Sequence, residues 1–366
     1  MKRLLCILSC MNTGGAETFL MKILRTINRT EYMLDFCINV PEPNFYEEEI
    51  KALGGKIYRI PTKSADLSGY KKALAKVVKD NGYQYVLRIT SSAMGFMDLA
   101  VAKKAGAKVC CARSSNSSDG GSLKAWLAHR IGRVLYSRFI DVMIAPSDLA
   151  AEYTFGKKAY RRGDVTILHN GLDLEVYRYN EAARNAIRAE FGIPEGARVI
   201  GHIGRFNTQK NHEYLIEIFC EIKKRDPGAI LLLVGNGALE EEIREKVKAF
   251  DLTDSVIFTG VRSDVPSLLS VMDVFVFPSF FEGMPNVIIE AQATGLPCLI
   301  SDTITREADI TGLVEYRSLQ SSAADWAEAA LGKLGKERKD TRQCFIDAAY
   351  DIQSVTDEFV RTVFHE

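Results

Sequence analysis

FEGMPNVIIEAQATGLPCLIS, residues 281–301, is the stretch on which the fold turns. A polar turn leads into a helix pattern over Asn286–Ala293, and past Gly295 the apolar run Pro297–Ile300 reads as a strand. Turn, helix and buried strand in close succession are the repeating unit of a parallel sheet. Glu282 precedes the helix and Glu290 lies about one turn inside it. Gly283, Met284, Pro285 and Asn286 bring backbone N–H groups to a helix start, where an anion is favoured, and Pro285 suits a first turn. Taken singly, Glu282 reads as a helix cap and Glu290 as a surface residue. Within the apolar VIIEAQA, however, Glu290 calls for a partner. Two carboxylates so placed can accept hydrogen bonds from sugar hydroxyls.

Outward from this segment the pattern repeats. Strands are expected at Arg198–Gly204, Ala229–Val234, Ser255–Phe258 and Val274–Val276, with helices at Asn211–Lys224, Leu239–Phe250 and Asp264–Leu269. The first half alternates in the same way. Its strands are expected at Arg3–Ser9, Met33–Val40, Lys56–Ile60, Gln84–Ile89, Lys108–Ala112, Asp141–Ala145 and Val165–Leu168. Near-continuous apolar strands joined by helices mean parallel sheets covered on both faces. The fold class is therefore α/β, with two Rossmann-like doubly wound domains. The boundaries are read as 1–178, 179–345 and 346–366, the last a helix whose Ile352, Val355, Phe359 and Val363 share one face, which packs either on its own domain or, the expectation adopted here, back on the first.

The 366 residues carry 47 basic and 47 acidic side chains, a balance that argues against a dedicated nucleic-acid binder. The zero is an average. Residues 1–178 hold 27 basic against 17 acidic, net +10, and residues 179–366 hold 20 against 30, net −10. Eight cysteines without a C-x-x-C pair, mostly inside apolar runs, fit a reduced, cytoplasmic protein. Lys2-Arg3 ahead of LLCILSC mimics an export signal, but the apolar stretch is too short and Gly14-Gly15 follows, so it reads as a first buried strand. Asp-x-Asp, His-x3-His and Cys/His clusters are absent, and no metal site is expected.

Three further motifs carry chemistry. Asn12-Thr13-Gly14-Gly15-Ala16-Glu17 opens a helix after the first strand, either as an anion site or as a plain chain reversal. Gly204-Arg205-Phe206-Asn207-Thr208-Gln209-Lys210-Asn211 places two cations at a strand end, where open α/β sheets bind ligands; Arg205 and Lys210 suit a diphosphate. Gly235-Asn236-Gly237-Ala238 is a partial dinucleotide fingerprint lacking its third glycine, weak support for NAD.

The ordered series NTGGAE (12–17), HNGLD (169–173), GRFNTQKNH (204–212), LVGNGALEEEI (233–243), FTGVRSDV (258–265) and FEGMPNVIIEAQATGLPCLIS (281–301) resembles the retaining family-4 glycosyltransferases of GT-B fold. Glu282 and Glu290 match that family's E-x7-E pattern. ARSSNSSDGG and IAPSDLAAEYTFGKK look like bacterial members that build capsular or exopolysaccharide units on lipid carriers. The resemblance implies two domains facing a cleft and a nucleoside-diphosphate sugar, most often UDP-linked, as co-substrate without a further cofactor. Arg205 and Lys210 would hold the diphosphate and stabilise the leaving group. Glu290 would hold the ribose and Glu282 the sugar hydroxyls, with the Gly283–Asn286 backbone on sugar and phosphate. Arg262 would border the base through its backbone, and Gly15 would approach the phosphates on closure. His169-Asn170-Gly171 would sit at the hinge.

One departure stands out. Many members of that family carry a histidine where this chain reads Ala112-Arg113-Ser114-Ser115-Asn116; Arg113, Ser115 and Asn116 are the candidates for that acceptor or sugar side. His129 falls in a helical segment and reads as a surface or core residue. The missing histidine keeps two alternatives open, a sugar-nucleotide isomerase on the same scaffold and a catalytically silent nucleotide-binding subunit. Between Lys124 and Arg162 eight basic residues face only Asp141, Asp148 and Glu152, which reads either as a solvated helix side or as a surface for the inner face of the cell membrane beside a lipid-linked glycan acceptor.

Overall fold

The computed structural model describes residues 1–115, 123–335 and 337–365. The chain forms two compact units: Met1–Gly171 together with Ala349–Glu366, and Leu172–Ala348.

In the first unit β1 (Lys2–Ile7), β2 (Tyr32–Ile38), β3 (Ile57–Arg59), β4 (Tyr85–Thr90), β5 (Val109–Ser114), β6 (Val142–Ala145) and β7 (Val165–Ile167) form one sheet of seven strands. Their order is β3-β2-β1-β4-β5-β6-β7, and every pairing is parallel. Successive residues of β1 feed opposite cores: Leu4 and Cys6 face one way, Leu5 and Ile7 the other. That alternation makes the strand apolar throughout, because both faces are covered. Burial pushes the thiols of Cys37 and Cys110 up to about 12, so these cysteines behave as small apolar side chains.

The second unit holds β8 (Val199–Ile203), β9 (Ile230–Val234), β10 (Val256–Phe258), β11 (Val274–Phe277), β12 (Cys298–Ser301) and β13 (Val314–Arg317) in the order β10-β9-β8-β11-β12-β13. All twelve strands expected from the sequence are present. The thirteenth, Val314–Arg317, was not anticipated. Among the described residues it pairs only with β12, and its four residues are all half-buried, so it lacks the apolar run that marks the others.

The C-terminal segment is helical, as expected, but broken. Helix Arg342–Asp347 ends before Ala349, which takes a positive φ of 55°, and helix Ile352–Phe364 follows. Asp351 caps the latter by accepting from the Ser354 N–H at 3.0 Å. Its Val355, Phe359, Val363 and Phe364 are buried in the first unit's core, with Phe359 edge-on to Phe19 and Phe364 against Tyr32 and Tyr85. Each such side chain contributes about 1.5–3 kcal/mol on burial. With the helix counted in the first unit, the charge asymmetry persists: 27 basic against 19 acidic there, and 20 against 28 in the second unit.

In both sheets the strand order reverses once, between β1 and β4 and between β8 and β11. At such a point neighbouring connections run to opposite faces and open a crevice at the strands' carboxyl ends.

Candidate active site

In the second unit that crevice is where the charged motifs lie. β8 runs out into Gly204–Asn211 and β11 into Pro278–Glu282, and the two loops are stitched together. Asn211, at a left-handed φ of 54°, donates its amide to the Pro278 carbonyl at 3.1 Å. The Phe280 N–H donates to the Gln209 carbonyl at 2.9 Å, and the Gln209 amide donates to the Phe281 carbonyl at 2.9 Å. The Lys210 ammonium donates to Glu282 Oε1 at 2.7 Å and lies 4.5 Å above the Phe277 ring. Arg205 is exposed and makes no ion pair among the described residues.

The loop is supported from behind by Gly235-Asn236-Gly237. The Phe206 N–H donates to the Asn236 carbonyl at 2.9 Å, and the Leu239 N–H to the Phe206 carbonyl at 3.1 Å. A Cβ on Gly235 would collide with the Gly204 carbonyl oxygen, and one on Gly237 with the Phe206 carbonyl oxygen. These glycines therefore allow two backbones to touch, which accounts for them without a dinucleotide.

Two histidines underlie the same loop. His202 is fully buried and donates from Nδ1 to the Val276 carbonyl at 2.9 Å, while its Nε2 has no partner among the described residues. His212 stacks on Phe206 at 4.2 Å and neither ring nitrogen finds a partner among the described residues. Burial, helped by the neighbouring Lys210 charge, brings His212 down to about 4, and burial drives His202 well below the ordinary range. Both are neutral at pH 7. Cationic charge in this loop is confined to Arg205 and Lys210.

Helix Asn286–Ala293 starts one residue past Pro285, which is its N-cap, so Gly283–Pro285 lead into the helix rather than lying in it. Glu290 has the partner its surroundings demanded. The Tyr177 hydroxyl is hydrogen-bonded to its carboxylate, and burial together with that charge pushes the phenol up. Nothing in the sequence singled out Tyr177, which lies far away in the chain. Arg262 is locked by carboxylates, at 2.6 Å from Glu190 and 2.8 Å from Asp264. Its guanidinium is thus occupied, leaving the backbone as the part that can face a ligand.

A strand-end cation loop tied to an E-x7-E turn is the arrangement by which the chain can be placed among known proteins. Residues 197–334 match the model for glycosyl transferases, group 1. The chain is 35% identical to EpsF of Bacillus subtilis (strain 168), a protein assigned as a glycosyltransferase, over 96% of this chain and 94% of that one. The chain belongs to the group 1 glycosyltransferases.

A UDP-Gal:alpha-D-GlcNAc-diphosphoundecaprenol alpha-1,3-galactosyltransferase of Escherichia coli is 33% identical over 38% of this chain and 36% of its own length. The Anabaena Alr3699/HepE structure in complex with UDP-glucose is similar over 100% of both chains, with a TM-score of 0.79 at 17% identity. WaaG, a glycosyltransferase involved in lipopolysaccharide biosynthesis, is similar over the whole of both chains with a TM-score of 0.70 at 15% identity. The fold is GT-B.

In the first unit of this glycosyltransferase, Gly15 is the first residue of helix Gly15–Thr26 and Gly14 its N-cap. The Glu17 carboxylate folds back onto Gly14, so close that a Cβ there would collide with it. Ser115 is exposed just past β5, and Asn116 lies outside the described residues. Arg113 departs from its expected place beside acceptor or sugar. It is 2% exposed, donates to the Leu168 carbonyl at 3.2 Å and to Asn170 Oδ1 at 2.8 Å, and stacks 3.7 Å from the Phe19 ring. Burial without a carboxylate lowers it to about 9. A side chain so enclosed is held by the first unit's own groups.

His169 stacks on Tyr350 at 4.1 Å and donates from Nδ1 to the Pro146 carbonyl at 3.0 Å. Gly171 abuts Ile352 and Val355, and its carbonyl accepts from Lys22 at 2.9 Å. The His169–Gly171 segment is thus packed into the first unit. His129 is a core residue: its Nδ1 accepts from the Ala93 N–H at 3.2 Å and its Nε2 donates to the Tyr153 carbonyl at 3.1 Å.

Helix Leu123–Tyr136 buries only His129 and Gly132. Leu123, Trp126, Leu127, Ile131, Val134 and Leu135 are all exposed, Val134 by 81% and Leu123 by 77%. Arg130 stacks over Trp126 at 4.8 Å. Among the described residues no helix is long and apolar enough to cross a membrane, and no group of three or more His, Cys, Asp or Glu is placed to hold a metal ion.

Proposed function

We propose that this glycosyltransferase moves a sugar from a nucleoside-diphosphate sugar, UDP-linked, to a glycan or lipid-linked glycan in surface polysaccharide synthesis, with retention at the anomeric carbon and without a metal. The observation that carries the proposal is the joining of Lys210 and Glu282 at the carboxyl ends of β8 and β11, with Arg205 in the same loop as Lys210. Arg205 and Lys210 bind the diphosphate and take up the charge that develops as it leaves. Glu282 accepts hydrogen bonds from the sugar, and Glu290, oriented by Tyr177, from the ribose. The Gly283–Asn286 turn offers backbone to sugar and phosphate, and Arg262 offers backbone to the base.

The step needs no protein nucleophile. The acceptor oxygen attacks the anomeric carbon from the face the diphosphate leaves, the carbon–phosphate-oxygen bond breaks, and the acceptor proton passes to that departing oxygen. The lipid-linked glycan setting is supported by the similarity to the galactosyltransferase named for alpha-D-GlcNAc-diphosphoundecaprenol. The exposed apolar side chains of helix Leu123–Tyr136, set among Lys124, Arg130, Arg133 and Arg138, support docking on an anionic leaflet, where such an acceptor resides.

A thermal-shift panel of UDP-, GDP- and ADP-sugars tests the donor site without knowledge of the acceptor. Stabilisation by UDP-sugars is expected, and none by any of the three overturns the proposal. Proton NMR of the product with EDTA present then reads retention and metal independence together.

A further inference from the structure

Lys210 is the sole hydrogen-bonding partner of the Glu282 carboxylate among the described residues, and the two side chains are 16% and 9% exposed. The lysine has other supports. Its stem runs along Gly204, and its ammonium rests on the Phe277 ring. The glutamate has none. A diphosphate that draws the ammonium to itself therefore strands a shielded carboxylate without counter-charge or donor, an unfavourable state. Sugar hydroxyls are donors. A ligand that brings them along with its diphosphate satisfies Glu282 in the same event; a bare nucleoside diphosphate does not.

We infer that Lys210 and Glu282 form an exchange pair that selects sugar-bearing nucleotide over bare nucleotide and drives release of the spent one. This rests on the donor-site assignment above. On binding, one ammonium hydrogen bond moves from Glu282 Oε1 to a phosphate oxygen, and Glu282 turns to the sugar hydroxyls. The proton stays on Lys210 throughout, so no charge is created or lost. After transfer the hydroxyls leave with the sugar. Glu282 then competes with the phosphate for the ammonium, and closing the pair expels the nucleoside diphosphate. Glu282 thus weakens product binding through Lys210, by a route separate from direct repulsion of the phosphate.

The test is isothermal titration of the full chain with UDP and GDP, and with UDP-glucose, UDP-N-acetylglucosamine and GDP-mannose. Wild type is compared with Glu282→Gln, Glu282→Asp, Lys210→Met and the Lys210→Met/Glu282→Gln double variant. Glu282→Gln is expected to bind the bare nucleotide about fivefold more tightly than wild type, and to lose the wild-type preference for the sugar-bearing form. Glu282→Asp, which draws the carboxylate back by one methylene, shifts in the same direction. In the Lys210→Met background Glu282→Gln is expected to leave nucleotide affinity unchanged. Nucleotide binding no tighter in either Glu282 variant overturns the exchange. So does equal tightening with Lys210 absent, since that is plain repulsion. Failure of the donor assignment looks different: wild type binds no nucleotide, or Lys210→Met binds as wild type does.

Discussion

Lys210 and Glu282, 72 positions apart, meet at 2.7 Å across two loops that leave neighbouring strands of one sheet. Their pairing ties the two loops together and occupies the Lys210 ammonium. Swapping the two residues separates these roles. Lys210→Glu or Glu282→Lys alone places like charges together and is expected to cost about 1–3 kcal/mol of stability. The double swap recovers most of that loss by chemical denaturation while transfer activity stays absent, because the cation then sits on the wrong loop. Recovery of activity in the double swap would sink the assigned roles.

Gly235 makes a second prediction. It combines a φ of 130° with contact to the Gly204 carbonyl, so Gly235→Ala strains its own backbone and pushes the Gly204–Asn211 loop forward. Nucleotide binding is expected to fall at least about tenfold, a loss of roughly 1.4 kcal/mol, with loss of melting temperature as well. Unchanged binding would show that the loop is not positioned from behind.

The buried histidines set an acid limit. A histidine held below its unfolded value stays neutral in the native state while the unfolded chain takes up protons. Stability is therefore full above about pH 6.5 and falls as pH drops through that value toward 4, by about 1.4 kcal/mol per unit per group. His212, down at about 4, spans this window. His212→Phe, which keeps the stack on Phe206, is expected to flatten the loss between pH 6.5 and 4.5, read from urea midpoints. An unchanged slope would mean that His212 titrates normally.

Tyr177 orients Glu290, so Tyr177→Phe is expected to raise KM for the donor several-fold with kcat nearly unchanged. The phenyl ring keeps its packing against the second unit's core. A fall in kcat alone would place Tyr177 elsewhere in the mechanism.

Helix Leu123–Tyr136 predicts sedimentation with phosphatidylglycerol vesicles at low salt and weaker binding to phosphatidylcholine. Leu127→Glu and Val134→Glu, both on exposed positions, are expected to abolish it with little change in melting temperature. Vesicle binding independent of anionic lipid argues against the surface.

Strand positions and motif order were legible in the sequence because doubly covered parallel strands are apolar throughout and interrupted by turns. β13 was not, since a half-buried strand at the sheet edge needs no apolar run. The E-x7-E spacing showed two carboxylates but not what satisfies them: the partners, Lys210 and Tyr177, come from other loops. Gly235 and Gly237 looked like a nucleotide signature because close backbone approach asks for glycine whether the neighbour is a phosphate or another loop. Arg113 lay at a promising strand end, yet only the surrounding Phe19, Leu168 and Asn170 reveal that it points into the protein.

The return of helix Ile352–Phe364 to the first unit bears on how the protein is made. Leu172–Ala348 is one uninterrupted stretch with its own sheet and both of its cores, and can finish folding as soon as it clears the ribosome. Met1–Gly171 emerges earlier but lacks Val355, Phe359, Val363 and Phe364, so Phe19, Tyr32 and Tyr85 wait uncovered while the rest is translated. Of these two units the one that is made earlier is completed later, and during that interval its open apolar face is prone to association.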